Sequence, residues 1–241
     1  MCTVTIVPMG HGFRLGCNRD EHRDRAPALP PVVHGLSGRT AIFPVDPAGP
    51  GTWVGVNDAS LGAALLNRSP DSPAPLDRRR RRSRGVIIPY LLECASLNEA
   101  LQRGAAIDPG EFNRFRVAIV QRGTVATLTS DGTEVAVAVD DLTRPMMLTS
   151  SSLGDALVEK PRRRLFERLF GGEERSWGRA QIRFHGHQWW SRRDISIRME
   201  RTEAKTVSHT FVSVTDSAIE LRYRALESTE FTVVTSAGGR C

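Results

Sequence analysis

The chain has 241 residues, of which 40% are hydrophobic and 25% charged, the balance of a folded globular chain. No apolar run reaches the roughly 18 residues of a membrane span, and no basic stretch followed by an apolar core opens the chain as in a signal peptide, so a cytoplasmic location is expected. The net charge of +6 is carried almost wholly by arginine, and the four cysteines Cys2, Cys17, Cys94 and Cys241 lie too far apart for a CxxC site, which points to reduced thiols.

In chain order, Cys2 follows the initiator methionine directly. Removal of Met1 would give one residue both a thiol nucleophile and an α-amine able to act as base. Thr3 to Val7 alternates and is β-branched, Gly10-His11-Gly12 is a turn, and Phe13 to Cys17 returns as a second strand. This hairpin would carry the tetrad Asn18-Arg19-Asp20-Glu21 back beside Cys2. Asp20 could then orient the amine and Arg19 could hold a substrate carboxylate. Cys17 could approach Cys2 across the same hairpin.

Residues 26–50 are rich in proline and glycine and read as a surface excursion with one short strand at residues 40–43. A second hairpin joins residues 53–56 to residues 61–66 and ends at Asn67. The run Arg78 to Arg82, followed by Ser83-Arg84, reads as an exposed, solvated loop that is dispensable for folding. With little aromatic interleaving near it, nucleic acid is an unexpected partner. Val86 to Leu92 reads as a helix with proline in its first turn, and Ser96 with Glu99 as a capping box for another. Strands are expected at residues 115–120, 125–129, 134–139 and 146–149, and a basic amphipathic helix at residues 162–170. Strands follow at residues 195–197, 211–214 and 230–234, then a frayed tail from residue 236. His185-Gly186-His187 lacks a third ligand at useful spacing, so no metal and no cofactor is expected.

Met1-Cys2, the tetrad, Arg25-Ala26-Pro27 and Gly51-Thr52-Trp53-Val54-Gly55-Val56-Asn57 together resemble the NRDE family, also called the transport-and-Golgi-organisation type. That family is similar in turn to N-terminal-nucleophile (Ntn) hydrolases of the choloylglycine hydrolase and penicillin V acylase kind. The element pattern alone gives a mixed α+β layered domain. The resemblance implies a four-layer αββα sandwich of two antiparallel sheets, one domain over residues 1–241.

The resemblance also implies site residues. Cys2, Asp20 and Asn67 are the catalytic candidates, Asn67 as an oxyanion donor. Asn18, Arg19, Ser150 and Arg192 are the candidates for substrate binding. Ser150 stands where related hydrolases have an asparagine, and Arg192 is matched to an arginine that precedes a strand. The implied function is hydrolysis of a linear amide or acyl thioester, on a small-molecule substrate with an acidic group. The alternative is a non-catalytic binding or trafficking protein for haem, acyl-CoA or lipid. Oligomeric state is left open.

Overall fold

The computed structural model describes residues 2–49, 51–69 and 82–237. Strand β1 (Cys2–Met9) turns at Gly10, whose positive φ of 55° suits glycine, into β2 (Gly12–His22). The register sets Cys2 opposite Arg19 and Val4 opposite Cys17. This hairpin is the middle of a six-stranded antiparallel sheet that also holds β10 (Met146–Thr149), β11 (Ala204–Val214), β12 (Ala218–Ala225) and β13 (Thr232–Ala237). Their order is β10-β1-β2-β11-β12-β13.

The second sheet has seven strands in sequential order, β3 (Leu29–Leu36), β4 (Arg39–Val45), β5 (Val54–Asn57), β6 (Gly62–Asn67), β7 (Phe115–Gln121), β8 (Thr124–Ser130) and β9 (Val135–Asp141). Helices α1 (Ile87–Leu92) and α2 (Leu97–Ala105) cover its outer face, and α3 (Asp155–Phe170) and α4 (Glu174–His185) cover the other sheet. The layers are therefore αββα. Alternation along the strands sorts the side chains. Val4, Ile6, Phe13, Leu15 and Val212 enter the core between the sheets, while Ala63, Leu65, Ile119 and Leu128 pack against α1 and α2. Val7 and Met147 pack beneath α3 and α4 with Phe166 and Phe184.

The expected elements of the first 149 residues recur with small shifts. One was missed: Pro30 and Pro31 hide β3, an edge strand that has no need of all its N–H donors. The capping box forms in part, since Ser96 Oγ accepts from Glu99 N at 3.2 Å while the Glu99 carboxylate takes the N–H of Ala95.

The last third needs larger correction. The strand expected at residues 195–197 is instead a 3-10 turn over residues 193–195, followed by a bend. The strand after it is β11, longer than the four residues expected. Its alternating Ser208, His209 and Thr210 are polar yet buried, so they gave no apolar signal. Helix α3 starts seven residues before Arg162 and runs through Pro161, and α4 and β12 were not foreseen. Residues 232–237 are strand where a tail was expected from residue 236, and residues 238–241 lie outside the described residues. The run at residues 78–81 lies outside the described residues. Arg82 is exposed and paired with Glu111 at 2.8 Å.

Candidate active site

A cleft of about 350 Å³ opens where the ends of β1, β2 and β6 meet. Cys2, Arg19, Trp53 and Asn67 line it, together with Arg25, Asp46 and the turn over residues 82–85. Cys2 is 4% exposed and its side chain belongs to the core between the sheets. Its diagonal neighbour on the same face is Cys17. A hydrogen bond from Cys17 holds the Cys2 thiol below the ordinary thiol value; burial and Asp20 oppose this, and the Arg19 charge adds to it. The same pairing and burial push the Cys17 thiol well above its usual range.

Arg19 faces the cleft and is held from two sides. Its Nη2 lies 2.8 Å from Asp46 Oδ2, and its guanidinium carbon sits 4.1 Å from the centre of the Trp53 ring. Asp46 also takes Arg25 at 2.6 Å. Burial would raise Asp46, but the hydrogen bonds from Arg25 and the Ala48 N–H, with the Arg19 charge, keep it below the usual carboxylate value. Asn67 ends β6 at the cleft wall.

Glu21 shares this side and lines the cleft, whereas Asn18 and Asp20 take the opposite direction. Strand alternation sends Asn18 and Asp20 through the sheet toward α3 and α4. Asn18 Nδ2 donates to the carbonyls of His185 and Ile197, both at 2.9 Å, so its Oδ1 must accept from His185 Nδ1 at 2.8 Å. The proton on Nδ1 leaves His185 Nε2 to accept from Thr5 Oγ1 at 2.7 Å, and Thr5 Oγ1 accepts in turn from Gln181 at 3.0 Å. Burial holds this imidazole neutral, with its pKa well below the ordinary histidine value. Asn18 is thus a tie between β2 and α4, outside the cleft.

Asp20 Oδ1 accepts from Thr206 Oγ1 at 2.6 Å. Burial lifts the Asp20 pKa above the ordinary carboxylate value, while Arg162, Thr206 and Arg201 pull it down. Arg162 is fully buried and ties four groups together: Thr3 Oγ1 at 2.9 Å, Thr149 Oγ1 at 2.5 Å, and the carbonyls of Ile195 and Ser196. Burial lowers its pKa to about 10. Ser150 is brought to Cys2. Its Oγ accepts from the Cys2 N–H at 3.2 Å, and its own N–H donates to the Cys2 carbonyl at 3.0 Å.

Arg192 is exposed and does not line the cleft. The arginine that precedes the strand is Arg201, three residues before β11. Arg201 is buried and donates to Ser151 Oγ and Ser152 Oγ at 2.9 and 3.0 Å, beside Ser150. The mismatch follows from taking residues 195–197 as the strand. Arg162 escaped notice in an arginine-rich stretch. The signal was its spacing: with Val158, Leu165 and Phe166 it occupies the apolar face of α3. Arg84 was taken with the basic run, yet it lines the cleft. His185 is consumed by Thr5 and Asn18, and among the described residues no cluster of His, Cys, Asp or Glu is arranged to hold a metal ion.

Two layers of helices around two antiparallel sheets, with the first strand beginning at a cleft cysteine, define the Ntn-hydrolase class of fold, and solved structures of that class match the chain. The N-acylethanolamine-hydrolysing acid amidase ortholog of Caenorhabditis elegans matches with TM-score 0.61 and 14% identity, over 87% of this chain and 92% of the other. Two variants of the conjugated bile acid hydrolase of Clostridium perfringens match with TM-scores of 0.55 and 0.56 at 11% identity. They cover 100% and 97% of this chain, and 97% and 92% of the bile acid hydrolase chains. The chain belongs to the transport and Golgi organisation 2 family, whose model matches residues 1–175. Among curated proteins a sequence search finds no match. No helix of the described residues is long and apolar enough to cross a membrane.

Proposed function

We propose that the protein is an N-terminal-nucleophile cysteine hydrolase that acts on a linear amide or an acyl thioester in one domain spanning the chain. The observation that carries this is Cys2 in the cleft wall, its thiol lowered by the Cys17 hydrogen bond and Arg19. Removal of Met1 frees the Cys2 amine, which takes the thiol proton. The thiolate attacks the carbonyl carbon, and the new negative charge on oxygen is held by the Asn67 amide. Collapse expels the amine or thiol leaving group, which receives the proton from the Cys2 ammonium. Water then attacks the acyl-cysteine, the amine accepts its proton, and the carboxylic acid leaves as the thiolate is regenerated.

Ser150 sits on the amine side of Cys2, where it orients the nitrogen and leaves Asn67 as the oxyanion donor among these candidates. Asp20 acts on the amine electrostatically from behind the sheet. Intact-mass measurement of protein from its native cells tests the processing step, with loss of one methionine expected. Retained methionine on the whole population removes the base and with it the mechanism. The replacement of the expected asparagine by Ser150 favours a second reading, a carrier that binds an acyl-CoA, a lipid or haem in the cleft without turnover. Binding without product by the wild-type, processed protein would select it.

A further inference from the structure

Among the described residues four arginines line the cleft, and three of them are engaged by carboxylates. Arg19 and Arg25 share Asp46, and Arg82 pairs with Glu111. Arg84 is different. It is half-buried in the same wall, and its contact is Nη1 to the carbonyl of Arg114 at 2.9 Å. Among the described residues no carboxylate pairs with it; Glu21 acts on it from a distance, as does Cys2. A half-buried guanidinium without an anion is unfavourable unless something supplies one. Its position is fixed from the backbone. Ser83 caps the turn, Thr52 N donates to Gly85 O at 3.1 Å, and a Cβ on Gly51 would fall 2.3 Å from the Gly85 carbonyl carbon. A second group in the same wall lacks a partner among the described residues: the Trp53 indole N–H is buried and has no acceptor there.

We propose that Arg84 is the receptor for the acid group of the substrate, seating a carboxylate while the reacting carbonyl lies at Cys2, with the Trp53 N–H donating to the same ligand. This rests on the cleft being the substrate site, and it moves the acid-binding role from Arg19, which Asp46 already neutralises. One face of the guanidinium is taken by the Arg114 carbonyl. The remaining N–H groups suit one planar carboxylate in bidentate contact.

The test compares two alkylating reagents at Cys2, read by peptide mass mapping: anionic iodoacetate and neutral iodoacetamide. The wild-type ratio of rates should exceed that of a free cysteine peptide and should fall as salt is raised. Arg84→Gln should lower the ratio about fivefold while leaving the iodoacetamide rate near wild type. Arg84→Lys should keep most of it, and Arg175→Gln, outside the cleft, should not change it. An unchanged ratio in Arg84→Gln overturns the assignment. So does an equal fall for both reagents, which would mean that Arg84 serves the thiolate. If Arg84→Gln does not fold, a wild-type ratio no higher than that of the peptide overturns it by itself. If neither reagent labels Cys2, the nucleophile reading fails separately. Acetate protection then decides: a rise in Tm with acetate in wild type and not in Arg84→Gln supports the site, and no rise in wild type overturns it.

Discussion

The two faces of β2 differ in how their charges are matched. On the helix side, Asn18, Asp20, Arg162 and His185 form a buried network of hydrogen bonds to named partners, with Gln181 Oε1 and His209 Nε2 beside it unpaired among the described residues. On the cleft side, Arg19 is braced by Asp46 and Trp53, while among the described residues Arg84 has no carboxylate and the Trp53 N–H no acceptor. The four residues of one motif are divided between these regions by strand alternation alone. A largely matched network fixes geometry, whereas an incompletely matched surface leaves bonds for a ligand to make. One side should therefore answer to mutation in stability and the other in chemistry.

The sharpest break of that division is Cys2→Ala. It should abolish acyl transfer while the fold is retained, because a thiol is replaced by a small apolar group in the core. Circular dichroism and Tm should be near wild type, and intact activity would remove Cys2 as the nucleophile. Arg162→Ala is the mirror image. It removes the guanidinium donors from the hydroxyls of Thr3 and Thr149 and from two buried carbonyls, and the positive charge that acts on Asp20. About 3–5 kcal/mol of stability should be lost in urea unfolding. A loss under about 1 kcal/mol would show that the network does not hold the sheet.

Asn67→Ala should cost roughly 2.7–4 kcal/mol of transition-state stabilisation if it donates to the oxyanion, with little change in urea midpoint. A rate within twofold of wild type would remove Asn67 from the chemistry. Acid should also act on the helix side. Burial, with Arg224 and Arg198, lowers His209 to about 4, and His185 is lowered in the same direction. Both must gain protons as the chain unfolds. Stability is thus fully present above the ordinary histidine value near 6.5 and is lost as pH falls toward 4. Tm should fall across that window, and His209→Gln should flatten the fall. The smallest effect is expected at Arg82→Ser, less than about 1 kcal/mol, since the Arg82–Glu111 pair is largely in water. A larger loss would make the start of that turn structural.

Legibility in the sequence followed the same division. Cys2, Arg19 and Asn67 could be placed because hairpins with clear turns, Gly10-His11-Gly12 and Asn57 to Ser60, fix their ends. What strand alternation does to a motif is also readable in principle: odd and even residues of Asn18 to Glu21 cannot share one side. The helix-side partners were harder. Arg162 and Arg201 come from residues 150–214, where buried serine, threonine and histidine break the apolar period that marks strands, and where an arginine takes a core position. Arg84 was hidden by its neighbours, five arginines in a row that read as solvent-facing.

The order of strands in the first sheet sets a timetable. Strand β2 lies between β1 and β11, and β11 is made from residues 204–214. A ribosome must therefore emit nearly the whole chain before the Cys2 strand can be closed in, and pairings this distant in sequence form late. Until then the first residues are open to the aminopeptidase that would remove Met1. Afterwards Cys2 is 4% exposed. Maturation of the amine is expected to belong to translation, so folded protein that still carries Met1 should resist later trimming in an aminopeptidase digest followed by intact mass.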